Sequence, residues 1–197
     1  MKPSAIAITL AFLVSACAGG PAPVDLGNLP TSKQTTLGLY VTAPQAWDMW
    51  QADPEHVVLV DVRTPEEYLF VGHPTGARNV PFVFVDNQWD AAKKKPVMHP
   101  NREFVDGIRR IAKPEQTLLL MCRSGGRSAA ATDMLATAGF RNVYTVVDGF
   151  EGDMQKDKKS PDFGKRTLNG WRNAGLPWDY EVDPTSLVWP DEPHTRR

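Results

Sequence analysis

Cysteine is scarce in this chain: Cys17 and Cys122 are the two among 197 residues. That leaves too few sulfurs for a disulfide framework. No metal-ligand spacing and no dinucleotide-binding fingerprint appear either, so no metal and no cofactor are expected. Charge of one sign is also missing. The net charge is −1, which gives no global pull toward nucleic acid or an anionic membrane, so any anion recognition must be local. The longest apolar run, Ala5 to Val14, is too short to span a bilayer.

What the N-terminus does contain is a pattern of export. Lys2, the apolar run and the small residues Ser15, Ala16, Cys17 and Ala18 read as a signal peptide over residues 1–16. Val14-Ser15-Ala16-Cys17 resembles a bacterial lipobox. That resemblance implies lipidation at Cys17, anchorage to a membrane through the N-terminal lipid, and a periplasmic location. Ordinary cleavage around the Ala16-Cys17-Ala18 triplet is the rival reading. In both cases Cys122 is left as a lone thiol in an oxidising compartment, a liability unless it is buried or used.

Residues 17–36, rich in Gly, Pro, Ser and Thr without a period, read as a flexible tether, and a domain is expected over 37–178. Leu39-Tyr40-Val41 reads as a strand. Thr42 then caps a helix striped by Ala43, Ala46, Trp47 and Trp50. Val57 to Val60 is a continuous β-branched and leucine run ending at Asp61, as expected of a parallel strand covered on both faces. Thr64, Pro65 and Glu67 supply a capping box with proline at the first helical position. A helix is expected over 101–112, with Phe104, Val105, Ile108 and Ile111 inward. Strands are expected over 117–121 and 143–147, separated by a helix striped by Ala131, Met134, Leu135 and Ala138. Alternating strands and helices predict an α/β fold with a mostly parallel sheet. Residues 84–100, with Lys93-Lys94-Lys95, read as a long surface loop. Residues 153–165 form a second polar stretch, and 179–197 an acidic, Pro-rich tail.

The chemistry concentrates in Cys122-Arg123-Ser124-Gly125-Gly126-Arg127-Ser128, between a buried strand and a helix. A cysteine leaving a strand into a glycine-containing loop can be ringed by backbone N–H groups, forming a nest for an anionic sulfur. Gly125 and Gly126 allow the positive φ such a curl needs. The positive end of the next helix and the charges of Arg123 and Arg127 add to the same field. Arg127 is placed against the helix dipole, and an anionic ligand would relieve that conflict.

This loop is similar to the active-site loop of the rhodanese family. Leu59-Val60-Asp61-Val62-Arg63, Glu66-Glu67-Tyr68, Gly72-His73 and Gly76-Ala77-Arg78-Asn79-Val80-Pro81 resemble the family's upstream signature. Asp148-Gly149-Phe150-Glu151-Gly152 and Gly170 to Trp178 resemble its C-terminal one. The likeness spans about residues 38–178. It implies a parallel five-stranded sheet flanked by helices on both faces, with Cys122 as the nucleophile that carries a persulfide. Arg123 to Ser128 would bind a small anionic sulfur donor such as thiosulfate, and cyanide or a thiol, on a small molecule or a partner protein, would accept the sulfur. Asp61 and Arg63 follow a strand whose end faces the same side as Cys122, where they either order the active loop or simply cap the strand. His73 offers either a base or a turn-holding hydrogen bond. Departures from the family pattern fall at Gly72-His73-Pro74-Thr75-Gly76-Ala77, in the long 84–100 segment and in the extended 152–170 stretch, all of which bear on the substrate entrance.

Two other functions compete. A phosphatase or arsenate reductase can share the implied fold, but its pattern places five residues between cysteine and arginine. Here Cys122 and Arg127 are separated by four, a loop that suits one sulfur atom better than a tetrahedral oxyanion. A binding or sulfur-carrier module serving one partner protein is the other. Inactive modules of this kind typically lose the cysteine, and this chain keeps it.

Overall fold

A computed structural model describes residues 24–190. In chain order the elements are β1 (Tyr40–Val41), α1 (Ala43–Ala52), β2 (Val57–Asp61), α2 (Pro65–Val71), β3 (His73–Pro74), β4 (Arg78–Asn79), β5 (Val83–Asp90), β6 (Lys95–Pro100), α3 (Phe104–Arg109), β7 (Thr117–Met121), α4 (Gly126–Thr137), β8 (Val143–Val146) and β9 (Trp178–Asp179). The main sheet has five strands in the order β1-β8-β7-β2-β4, all parallel. The two continuous apolar runs, β2 and β7, are neighbours near its centre, where both faces are covered. Side chains on a strand alternate between faces. Val60, Leu118 and Leu120 accordingly enter one core with Phe104, Ile108, Ala131 and Leu135 of α3 and α4. Leu59, Leu119 and Met121 enter the other with Ala43, Ala46, Phe150 and Trp171. Each Val, Leu, Ile, Phe or Met among them, when fully buried, contributes about 1.5–3 kcal/mol.

Local chemistry sets the helix starts. Thr42 and Thr64 each close a reciprocal capping box, with Gln45 and Glu67 respectively, and each helix carries proline in its first turn. Of the stripe expected on α4, Ala131 and Leu135 are buried but Met134 is 41% exposed, so the buried face is narrower than its sequence spacing suggested. α3 is shorter than the expected 101–112, covering Phe104–Arg109.

Three expectations are corrected. Residues 84–100 are not a loop: β5 and β6 pair as an antiparallel hairpin. Neither face of it is deeply buried, so it lacks the apolar alternation that marks a half-buried strand, and its turn carries neither Asn nor Gly. Lys94 takes the left-handed φ of 52° instead. The tether expected over 17–36 is docked at its C-terminal end. Lys33 is buried and bonds Asp153, while the Thr36 N–H and hydroxyl both donate to Asp133 of α4. The domain does not stop at 178. β9 pairs with β3, and Leu187 bridges Asn79 at the outer edge of β4, with the Val188 N–H donating to the Asn79 carbonyl. The tail thereby covers an otherwise open sheet edge. Cys17 and the expected signal peptide lie outside the described residues. Among the described residues no helix is long and apolar enough to cross a membrane, and no group of three or more His, Cys, Asp or Glu is placed to hold a metal.

Candidate active site

Ligands of open parallel sheets bind beyond the carboxyl ends of the strands. β2 and β7 end there side by side, with Asp61 opposite Met121, and Cys122 is the next residue. The Cys122 Sγ accepts the Gly125 N–H at 3.2 Å, so the loop does curl back on the sulfur. Gly125 makes this possible. It sits at φ 98°, and a Cβ there would lie 2.3 Å from the Val147 carbonyl oxygen. Only a residue without a side chain fits both the angle and the space. The thiol is 2% exposed, and it is the free cysteine of the described residues. A simple core thiol would share the burial. It would not be surrounded by a polar loop with a backbone donor aimed at its sulfur.

The loop is clamped from two directions. Phe150 N–H donates to the Cys122 carbonyl at 2.8 Å, and Glu151 and Gly152 N–H both donate to the Arg123 carbonyl at 3.0 and 3.2 Å. Gly149 permits this approach, since a Cβ on it would stand 2.5 Å from the Cys122 carbonyl oxygen. From the helix side, the Ser128 hydroxyl donates to the Gly125 carbonyl, and the Thr145 hydroxyl of β8 donates in turn to Ser128 Oγ. Ser128 is fully buried and so serves the loop's shape, not a ligand. Ser124 is half-buried, and Arg123 and Gly126 are exposed at the rim.

Asp61 and Arg63 are both completely buried and bonded to each other, with Arg63 Nη2 2.6 Å from Asp61 Oδ2. Arg63 also donates to the Gly72 carbonyl, and its guanidinium lies 4.2 Å from the Phe150 ring centroid. Burial opposes the Arg63 charge, but the adjacent Asp61 carboxylate outweighs it and holds the guanidinium above its usual pKa. The pair thus has contacts of both kinds the sequence left open. It closes the end of β2, and through Phe150 it supports the segment that clamps Cys122.

Arg127 departs from expectation. Both its terminal nitrogens bond Glu67 of α2, at 2.5 and 2.7 Å. The conflict with the helix dipole is therefore relieved by a carboxylate of the protein itself. Burial works against both charges, yet the mutual hydrogen bonds and attraction prevail, holding Glu67 below and Arg127 above their usual values. Glu67 was legible only as a cap. Its Oε2 accepts the Thr64 N–H and Arg127 together, which local sequence cannot reveal.

His73 packs on Tyr68 of α2 at 3.9 Å between ring centroids, and its Nδ1 is 3.3 Å from the Tyr68 carbonyl, so it holds a turn. A cleft of about 600 Å³ opens beside it, lined by Arg78, Asp179 and Asp183 among others, remote from the sulfur in sequence and on the outer edge of the sheet. Sequence reasoning missed Arg166. It is carried by the extended stretch after Gly152 and returns to it, Nη1 donating to the Gly152 carbonyl at 2.6 Å.

A parallel sheet with a cysteine nested at the end of a central strand defines an α/β domain built around a single thiol. The model of the rhodanese-like domain matches residues 42–156, and the chain belongs to that family. It is 31% identical over 142 residues to a Rickettsia conorii protein known as Uncharacterized protein RC0915, a match covering 71% of this chain and 96% of that one. Thiosulfate sulfurtransferase 16, chloroplastic, of Arabidopsis thaliana is 36% identical over 91 residues, covering 46% of this chain and 68% of that one. Among solved structures, the crystal structure of Rv0390 from M. tuberculosis has a TM-score of 0.56 at 31% identity, covering 72% of this chain and 96% of that chain.

Proposed function

We propose that this protein is a sulfurtransferase in which Cys122 carries the transferred sulfur. The observation that carries the reading is the Gly125 N–H aimed at the Cys122 Sγ, inside a loop with four residues between Cys122 and Arg127. The family membership and the Arabidopsis relative point the same way. The thiolate of Cys122 attacks the outer sulfur of a thiosulfate-like donor. A new S–S bond forms, the donor's S–S bond breaks, and its electron pair leaves on sulfite. An acceptor nucleophile, cyanide or a thiolate on a small molecule or a partner protein, then attacks the outer sulfur of the persulfide, and the electron pair returns to Cys122. Splitting the transfer in two gives ping-pong kinetics. The Gly125 N–H, already oriented at the sulfur, stabilises the persulfide anion without reorganising.

Intact-mass measurement after thiosulfate treatment tests this. One added sulfur is expected on the wild type and none on Cys122→Ala; an unchanged wild-type mass overturns the proposal. We also propose that the protein is exported and held at a membrane through lipid on Cys17, on the strength of the lipobox-like sequence. Mass spectrometry of the mature N-terminus should find diacylglyceryl-cysteine, and a free Ala18 or Gly19 end rejects the anchor.

A further inference from the structure

The first step of that reaction brings an anionic sulfur against a donor that is itself a dianion. Their repulsion must be met by cations not already neutralised. Of the arginines near the loop, two are spent: Arg63 on Asp61 and Arg127 on Glu67. Arg123 and Arg166 are different. Among the described residues neither is in an ion pair.

Arg166 is placed by construction. The Met154–Arg166 bridge and the bond from Gln155 N–H to the Lys165 carbonyl fold the extended stretch back on itself. Asn173 Nδ2 donates to the Arg166 carbonyl, and Arg166 Nη1 holds the Gly152 carbonyl. Gly152 N–H is in turn bonded to the Arg123 carbonyl, so two hydrogen bonds connect the Arg166 guanidinium to the backbone next to Cys122. Of the nearby acids, Asp153 is taken up by the Lys33 ammonium at 2.8 and 3.0 Å and Asp162 by Lys165 at 3.1 Å. Half-burial and then the Arg123 charge push the Arg166 pKa down, with Glu151, Asp153 and the Cys122 sulfur opposing from longer range. Two like charges near one sulfur, one of them partly desolvated, are an arrangement that an incoming anion stabilises. The planar guanidinium is suited to bidentate contact with an oxyanion.

We infer that Arg166, together with Arg123, forms a seat for the oxyanion head of the sulfur donor above Cys122. This rests on the sulfurtransferase reading and narrows it. The chain is built for donors bearing a sulfonate-like head, with the sulfane sulfur directed at Cys122 and sulfite leaving into the two arginines. A polysulfide is also an anion but has no oxyanion head for bidentate contact, so it draws on the seat only through the general attraction of the charge.

The test compares Arg166→Gln and Arg166→Lys with the wild type, using thiosulfate and a short inorganic polysulfide as donors and cyanide as acceptor. Glutamine keeps an N–H for the Gly152 carbonyl and removes the charge. With thiosulfate, kcat/KM for Arg166→Gln should fall about 10- to 100-fold, chiefly through KM, as for loss of a hydrogen bond to a charged group. With polysulfide the fall should be smaller by at least about fivefold, and inhibition by sulfite should weaken in parallel with the thiosulfate effect. Arg166→Lys should recover part of the loss. Equal losses with both donors, or no loss with thiosulfate, overturn the inference while leaving Cys122 as the carrier. Failure of the wild-type thiol to load from either donor removes the sulfurtransferase reading itself, and the seat with it. A melting temperature for Arg166→Gln close to the wild type separates a lost seat from a lost fold.

Discussion

Strands β2 and β7 run in register and leave the sheet at the same level, yet the charges at their two exits are handled in opposite ways. At the end of β2, Asp61 and Arg63 are sealed from water and closed on each other. At the end of β7, Arg123 is exposed and no carboxylate among the described residues pairs with it. The first exit is foundation, where an ion pair holds Phe150 against the backbone of Cys122. The second is working surface, where a cation without a partner stands beside a sulfur. On the proposed reading, a mutation at either exit should lower activity through different quantities: stability at β2, donor binding at β7.

The comparison is most severely tested at the foundation. Arg63→Leu leaves Asp61 buried without its partner. Breaking a buried pair in this way costs about 3–5 kcal/mol, to be read as a lower urea midpoint with the unfolding slope unchanged. A loss under about 1 kcal/mol would mean that the pair is not a foundation at all. Next comes the loop itself. Gly125→Ala meets both the left-handed φ and the Val147 carbonyl. A cost of about 1–3 kcal/mol is expected from the backbone alone, with persulfide loading of Cys122 sharply reduced because the Gly125 N–H is turned away. Full loading in a destabilised protein would show that this N–H is dispensable.

The smallest effect is expected between the two exits, at Glu67 and Arg127. Because the folded-state pKa of Glu67 lies below its usual 4.5, the pair's contribution is present above that pH and is lost as pH falls through the depressed folded value. Glu67→Gln should lower stability at neutral pH by about 0.5–1.5 kcal/mol and flatten the loss of stability on acidification. Equal acid slopes in the two proteins would place the source of that slope elsewhere. Asp148 has the opposite sign. Burial raises its pKa, so protonation favours the folded state and its carboxylate is a cost at neutral pH, offset by N–H donors from Ala43 and Gly170.

Much of the fold was legible because its signals are local. The strand runs of β2 and β7, the capping boxes at Thr42 and Thr64, and the cysteine-glycine loop each show themselves within a few residues. The hairpin over 83–100 was not, since neither of its faces is deeply buried and it leaves no apolar period to read. Nor was the docking of Lys33, whose partner Asp153 is 120 residues away. The candidate site divides the same way. Cys122 and its loop were identified from neighbours in sequence, whereas the fate of each arginine around it was invisible, because an arginine's availability depends on which carboxylate the fold brings to it.

The sequence by itself therefore determined the α/β class, the central strands and the looped cysteine at a strand end, since hydrophobic runs, caps and a glycine-bearing loop act over distances that the chain's own order encodes. Only the tertiary structure decided the charge around the sulfur. It spends Arg127 on Glu67, 60 residues distant, and folds the stretch after Gly152 so that Arg166 returns to the backbone beside Cys122. Electrostatic interaction is set by separation in space and by burial, and neither is written in the spacing of residues along the chain.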